Sequence, residues 1–146
     1  MRFRSILIGI GAFLVAVILL LAWSPVFADD IAQVVALRGL VSANGEELHQ
    51  GDSIDVGDRL IAEDRSFAVF QFVDGAKVTL RPNSEMIVRE YSYLEGKDVG
   101  KFDLVSGGLR IITGAIAKSS PEDYKLQTPV ALMGVRGTEF SIQLLD

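Results

Sequence analysis

The chain has 146 residues, with 19 acidic and 14 basic side chains, one histidine and no cysteine. The lack of cysteine excludes disulfides, thiolate metal sites and a cysteine nucleophile, and His49 alone cannot form a multi-histidine site, so we expect no metal or cofactor. The acidic surplus also argues against nucleic acid as a partner, because phosphate backbones are bound mainly by clustered lysine and arginine.

The first 28 residues have the three-part layout of a secretory signal peptide. A basic start is followed by an apolar stretch over residues 6–23, and then by Val26 and Ala28, which are small enough for a signal peptidase pocket. We expect cleavage after Ala28, which leaves residues 29–146 as the mature domain.

An uncleaved membrane anchor is the alternative reading of the leader. Its apolar stretch, residues 6–23, is near the lower limit for crossing a bilayer. Either way the arginines stay cytoplasmic, so residue 29 onward faces the periplasm, and the chain meets the membrane only through residues 6–23. Two of the 14 basic residues lie in the leader, which leaves 12 against 19 acidic residues and a formal charge of −7 for the exported part.

From residue 32 onward, short runs of β-branched and aromatic residues alternate with glycine turns, which predicts an all-β domain. Asn44-Gly45 and Asp74-Gly75 predict hairpins with type I′ turns, which need a positive φ at both central positions. Residues 91–100 and 118–123 are predicted as exposed loops. The predicted strands cover residues 34–37, 67–73, 77–80, 86–88, 109–112 and 140–144.

A short internal repeat begins at Gly45, Gly51 and Gly57. Each copy reads glycine, acidic residue, any residue, large aliphatic residue. A turn at each glycine with one aliphatic residue directed inward is typical of a β-solenoid coil, and a meander of short strands in a β-sandwich gives the same pattern. The residues therefore predict a single all-β domain and leave both architectures open.

The acidic residues do not form a convincing catalytic or metal-binding pattern. Asp52, Asp55 and Asp58 recur every three residues, but their spacing is not that of an EF-hand, and we interpret them as solvated turn residues rather than calcium ligands. A glycosidase needs two carboxylates across the sugar bond, whereas residues 46–47 and 122–123 are adjacent pairs. We expect no enzymatic activity, and a hydrolase is only a remote alternative.

Tyr91 and Tyr93 are the candidate contact residues among the aromatics. Their two-residue spacing would place both on one face of a strand. The phenylalanines lie in apolar strands and are predicted to belong to the core.

Arg136 lies in an unusually apolar segment, residues 128–140. A buried charge needs a partner, and Glu139 is the nearest acid in sequence. We expect Arg136 to pair with Glu139, or with backbone carbonyls, and so to lock a strand crossing at Gly137. The alternative is that Arg136 contacts a receptor.

Several of these motifs resemble the periplasmic domain of the FecR (ferric-citrate regulator) family, over about residues 38 to 140. The resemblance implies an all-β, non-enzymatic, solenoid-like periplasmic module that receives a signal from an outer-membrane receptor and passes it to a sigma factor. We interpret the matching residues as structural. They are Gly57, Asp58, Asp74, Gly75, Arg136, Gly137, Thr138, Glu139 and Phe140.

Regulators of this family carry a cytoplasmic anti-sigma domain, whereas only residues 1–5 precede the apolar stretch here. We therefore expect the binding domain to carry over, without anti-sigma activity or iron sensing. We expect either a minimal domain or one whose last strand, residues 141–145, is an open edge able to pair with a partner. The sequence thus predicts an exported signalling or binding domain that acts on another envelope protein, with a cell-wall or glycan-binding domain as the alternative.

Overall fold

The computed structural model describes residues 30–94 and 96–145. The apolar stretch at residues 6–23 and the predicted cleavage after Ala28 lie outside these residues. Within them, no helix is long and apolar enough to cross a bilayer.

β-Strands are the main regular structure of the described residues, joined by turns and loops and by one short α-helix between β10 and β11. The first strands are β1 (Ala32–Arg38), β2 (Val41–Ala43), β3 (Glu46–Glu47), β4 (Ser53–Ile54), β5 (Arg59–Ala62), β6 (Phe67–Phe72) and β7 (Lys77–Leu80). The rest are β8 (Ser84–Ser92), β9 (Val99–Ser106), β10 (Gly108–Ile112), helix α1 (Ala115–Ser119), a 3-10 turn (Pro121–Asp123), β11 (Tyr124–Gln127), β12 (Leu132–Gly134) and β13 (Glu139–Gln143).

The strands build two sheets, and the chain crosses between them repeatedly. Sheet A has the order β13-β10-β7-β6-β1-β4, and sheet B has the order β12-β11-β9-β8-β5-β2-β3. Of the recorded strand pairs only β9 with β11 is parallel, whereas the coils of a solenoid would stack in parallel. The single all-β domain is confirmed, and of the two architectures left open it has the two-sheet one.

Alternating side chains from both sheets meet in one apolar core. In β7, for example, Val78 and Leu80 are fully buried while Lys77 is exposed, as expected for a strand with one face against a core. An aromatic cluster lies within this core. It joins Phe72 of sheet A to Tyr91, Phe102 and Tyr124 of sheet B, with neighbouring ring centroids 4.5 to 5.8 Å apart.

The six-residue repeat marks the crossings between the sheets. Its three glycines all have positive φ, and its three aliphatic residues, Leu48, Ile54 and Leu60, are all buried. The strands of successive copies belong to sheet B, sheet A and sheet B in turn. Each copy is therefore a turn followed by one core contact, as the sequence predicts, but the copies do not stack as coils.

The two predicted hairpin turns differ. Asn44 and Gly45 both have positive φ, which confirms the type I′ turn between β2 and β3. The β6–β7 hairpin is also present, but only Gly75 of its dipeptide has positive φ, and its N–H binds the carbonyl of Phe72 at 3.0 Å. The type I′ prediction is wrong there; the Asp74 side chain instead turns inward to hydrogen bonds in the core.

Each predicted strand is present, but the two predicted loops are wrong in part. The first is shorter than expected, because β8 runs on to Ser92 and β9 already begins at Val99. The second holds the end of α1 and the 3-10 turn. Pro121 opens that turn, a position that suits its fixed φ and missing N–H, and Ile116 of α1 is fully buried.

Candidate interaction site

The last strand, β13, is an edge of sheet A, as the sequence predicts, although it spans residues 139–143 rather than 141–145. It pairs with β10 in a continuous antiparallel register from Gly108 opposite Gln143 to Ile112 opposite Glu139. Phe140 and Ile142 face the core but are only half-buried. No strand of the described residues covers the other side of β13.

The outward backbone groups of β13 can be assigned from the hydrogen bonds at its two ends. The Thr113 N–H binds the Thr138 carbonyl at 2.9 Å, and the Leu144 N–H binds the Gly107 carbonyl at 2.8 Å. Since antiparallel strands alternate, residues 140 and 142 also bond toward β10. The free edge therefore offers the N–H and C=O groups of residues 139, 141 and 143.

Arg136 lies in the loop between β12 and β13 and is exposed. The loop is held on both sides of it: Val135 is fully buried and its N–H binds the Tyr124 carbonyl at 3.1 Å, and the Gly137 carbonyl accepts a hydrogen bond from the Thr113 hydroxyl at 2.7 Å. Gly137 has φ +95°, a conformation that favours glycine. The fold thus fixes the loop and presents the guanidinium of Arg136 to solvent.

The predicted Arg136–Glu139 pair is not formed. Glu139 accepts a hydrogen bond from Arg110 of the neighbouring strand, with Nε 2.7 Å from Oε1, and Arg136 has no ion-pair partner among the described residues. The Arg110 guanidinium lowers the pKa of the Glu139 carboxyl. Sequence distance was misleading, because an antiparallel ladder brings the acid beside a residue 29 positions away.

Asp74 is at the centre of a buried polar cluster that the sequence does not reveal. It is 8% exposed and accepts a hydrogen bond from the Tyr91 hydroxyl. It also accepts bonds from the backbone N–H of Ala76 at 3.1 Å and of Ile116 at 3.2 Å. This carboxylate thereby connects the β6–β7 hairpin with β8 and with the start of α1.

Burial raises the pKa of Tyr91 well above its usual range, and the neighbouring Tyr124 and Asp74 act in the same direction. The pKa of Tyr124 is raised as well, mainly by burial and then by Asp74. The Tyr124 hydroxyl is buried without a hydrogen-bond partner among the described residues. Both phenols therefore stay neutral to a higher pH than exposed tyrosines do.

The expected contact pair of Tyr91 and Tyr93 is not present as a pair. Tyr91 is 5% exposed and belongs to the core cluster, whereas Tyr93 is 47% exposed. The two side chains do not share a strand face, because β8 ends at Ser92 and Tyr93 lies beyond it. Tyr93 alone remains available at the surface.

The family residues at the start of β5 brace a turn. Asp58 accepts hydrogen bonds from the side-chain amide of Asn44 and from the N–H of Asp55, both at 2.8 Å. The N–H of Gly57, which has φ +92°, binds the carbonyl of Val88 at 2.7 Å. Along residues 30–94 and 96–145, no group of three or more acidic or histidine side chains is arranged to hold a metal ion.

The structure is thus a two-sheet domain that presents Arg136 on an exposed, anchored loop. Comparison with protein-family models identifies its family. The family model described as "FecR protein" matches residues 58–146. The chain belongs to the FecR family, and the match begins about twenty residues later than the motifs suggest. Neither a search of curated proteins nor a search of solved structures gave a significant match.

Membership gives the general class of activity. The FecR family is regulatory and non-enzymatic, acts in signalling together with other proteins, and is typically associated with the cell envelope. The domain is therefore a signalling-related one.

Proposed function

We propose that this chain is an exported binding domain of the bacterial cell envelope, which acts by contact with another envelope protein. The supporting observation is the exposure of Arg136 within the ending motif of the family. A solvent-exposed arginine on an anchored loop, with no ion pair to any described residue, adds little to the stability of the fold, and it suits a contact with an acidic group on a partner.

The proposed contact surface consists of the loop at residues 135–138, between β12 and β13. Its backbone is held by Val135 and Gly137, so little conformational entropy is lost when Arg136 is bound. A glycan-binding platform is less well supported, because such a site usually relies on several exposed aromatic rings. With Tyr91 in the core, only Tyr93 of the expected pair is exposed.

The location of the domain is part of the proposal. Residues 1–28 act as a signal peptide that is removed after Ala28, or as an inner-membrane anchor, and residues 29–146 face the periplasm. Trp23 is the only tryptophan, so protein isolated from its native host should show no tryptophan fluorescence if the leader is removed. Tryptophan emission from that protein would support the anchor.

The contact is tested by photocross-linking in cells of the native host. In the full chain, a photoreactive amino acid replaces Thr138, which is exposed in the same loop and leaves Arg136 in place, and a matched control replaces Arg65, whose side chain is 92% exposed and lies outside the ending motif. We expect one discrete adduct with another polypeptide at position 138, its loss when Arg136→Ala is added, and none at position 65. Equal adducts at positions 138 and 65, or none at 138, would refute the proposed surface.

A further inference from the structure

The exposed edge of β13 differs from the other sheet edges. The remaining edge strands are β4 and β3, with two residues each, and β12, with three, whereas β13 has five. Short edge strands are one way in which proteins prevent unwanted strand pairing. β13 does not use this device, and it contains no lysine, proline or bulge that would block an added strand.

The only charge in β13 is also neutralised within the fold. Glu139 is bound by Arg110 on the outer face of the sheet. The edge therefore presents three pairs of backbone groups, at residues 139, 141 and 143, with no unpaired charge of the strand directed against an approaching chain. Such an edge is suited to an extended strand as its partner.

The pattern of polar and apolar residues in β13 is symmetrical about its central residue, Ser141. A second copy of β13 would therefore match it as an antiparallel partner strand. Reading outward from Ser141, the next residues on either side are apolar, Phe140 and Ile142, and those beyond are polar, Glu139 and Gln143. In an antiparallel pair of two such strands, Phe140 would lie opposite Ile142 and Glu139 opposite Gln143. Apolar residues would meet apolar ones, and no like charges would face each other.

The backbone groups fit the same register. Residues 139, 141 and 143 direct their N–H and C=O groups outward, so a pairing centred on Ser141 places each of them in a hydrogen-bonded position. Phe140 and Ile142 are half-buried against the core at the β13 edge of sheet A. Each would gain an apolar neighbour from the second copy. We propose that β13 pairs in antiparallel register with β13 of a second copy of this chain, centred on Ser141.

This inference rests on β13 alone and not on the contact made by Arg136. A five-residue strand pair is small compared with the interfaces of stable dimers, so we expect weak, concentration-dependent self-association. Cross-linking of the full chain, purified in mild detergent, is the suitable measurement, because the protein has no cysteine of its own.

The first test is disulfide formation in Ser141→Cys under mild oxidation. The Cα atoms of a hydrogen-bonded antiparallel pair are about 5.5 Å apart, within the usual range for a disulfide. We expect a disulfide-linked dimer, and much less in the control Ser53→Cys, which places a cysteine on the opposite edge of the same sheet. Equal yields in the two variants would overturn the proposal.

The register is tested by mixing two further variants. Glu139→Cys and Gln143→Cys lie opposite each other in the proposed pair, so the mixture should form a mixed disulfide more readily than either variant alone. Preferential self-linking of Glu139→Cys, or of Gln143→Cys, would contradict the register.

Charge provides an independent test that adds no cysteine at the interface. Ser141→Lys would place two ammonium groups opposite each other and should weaken self-association, whereas Gln143→Lys would place each new lysine opposite Glu139 of the second copy. We expect about fivefold tighter self-association for Gln143→Lys, in line with two favourable cross-strand pairs. Both side chains point to solvent, so both variants should keep the circular dichroism spectrum of the parent. The same response from both lysine variants would refute the proposed pairing.

Discussion

The Tyr91 hydroxyl donates a hydrogen bond to the Asp74 carboxylate, and this bond joins the two sheets. Tyr91 belongs to β8 of sheet B, and Asp74 lies in the turn that connects β6 and β7 of sheet A. The same carboxylate and the Asp74 carbonyl accept the first N–H groups of helix α1. One acidic side chain therefore holds three elements together across the core.

Removal of the two buried hydroxyls should have opposite consequences. Tyr91→Phe takes a hydrogen bond from a buried carboxylate and should lower the free energy of unfolding by about 1.5–3 kcal/mol. Tyr124→Phe removes a hydroxyl that has no partner among the described residues, so it should be neutral or stabilising. Urea unfolding of the two variants measures the difference, and an equal loss in both would contradict the role of the Tyr91–Asp74 bond.

The raised pKa values of Tyr91 and Tyr124 predict a loss of stability in alkali. Both groups have a higher pKa in the folded state than the value of about 10 for an unfolded tyrosine. The unfolded chain therefore binds fewer protons above about pH 10, and the stability, complete below that pH, falls by up to about 1.4 kcal/mol per tyrosine and per pH unit. Thermal unfolding measured from neutral to strongly alkaline pH follows this loss.

Two variants test whether these tyrosines cause the loss of folding stability at alkaline pH. The test variant changes both Tyr91 and Tyr124 to phenylalanine, and the control is Tyr93→Phe. The double variant should lose less stability on passing from neutral to alkaline pH. The control, at an exposed position, should behave like the parent. An unchanged pH profile in the double variant would assign the alkaline loss to other groups.

We predict that only glycine fits at position 114, where the start of α1 packs closely against the backbone of Asp74 and Ala76. A Cβ at this position would lie 2.5 Å from the Ala76 nitrogen and 2.6 Å from the Asp74 carbonyl oxygen, so the backbone would have to move. Gly114→Ala should destabilise the domain by about 1–3 kcal/mol. Gly134→Ala is the matched control, because a Cβ there meets nothing within 4 Å. Similar unfolding midpoints for both variants in a thermal melt would contradict this prediction.

The sequence was a good guide to local structure because strand periodicity and glycine turns are local properties. β7 was predicted with its observed bounds, and the aliphatic residue of every repeat copy is in the core. The interior role of Asp74 could not be predicted, because it depends on Tyr91 and α1, which come close only in the folded chain. An Asp-Gly pair usually indicates an exposed turn.

The partner of Glu139 was missed for a related reason. Sequence separation made Arg136 the natural choice, whereas the register of β10 with β13 brings Arg110 to the same face of the sheet. The exposure of Arg136 changes the interpretation of that residue alone, since it favours a contact residue over a structural lock.

The unfolding free energy of Arg136→Ala, measured by urea denaturation, is the most direct test of whether Arg136 is an exposed contact residue or a buried structural one. An exposed arginine without an ion pair should change that free energy by no more than about 0.5 kcal/mol. A loss of about 3 kcal/mol is the result expected for a buried, paired arginine. That loss would contradict the assignment of Arg136 to a binding surface, and a value near zero would support it.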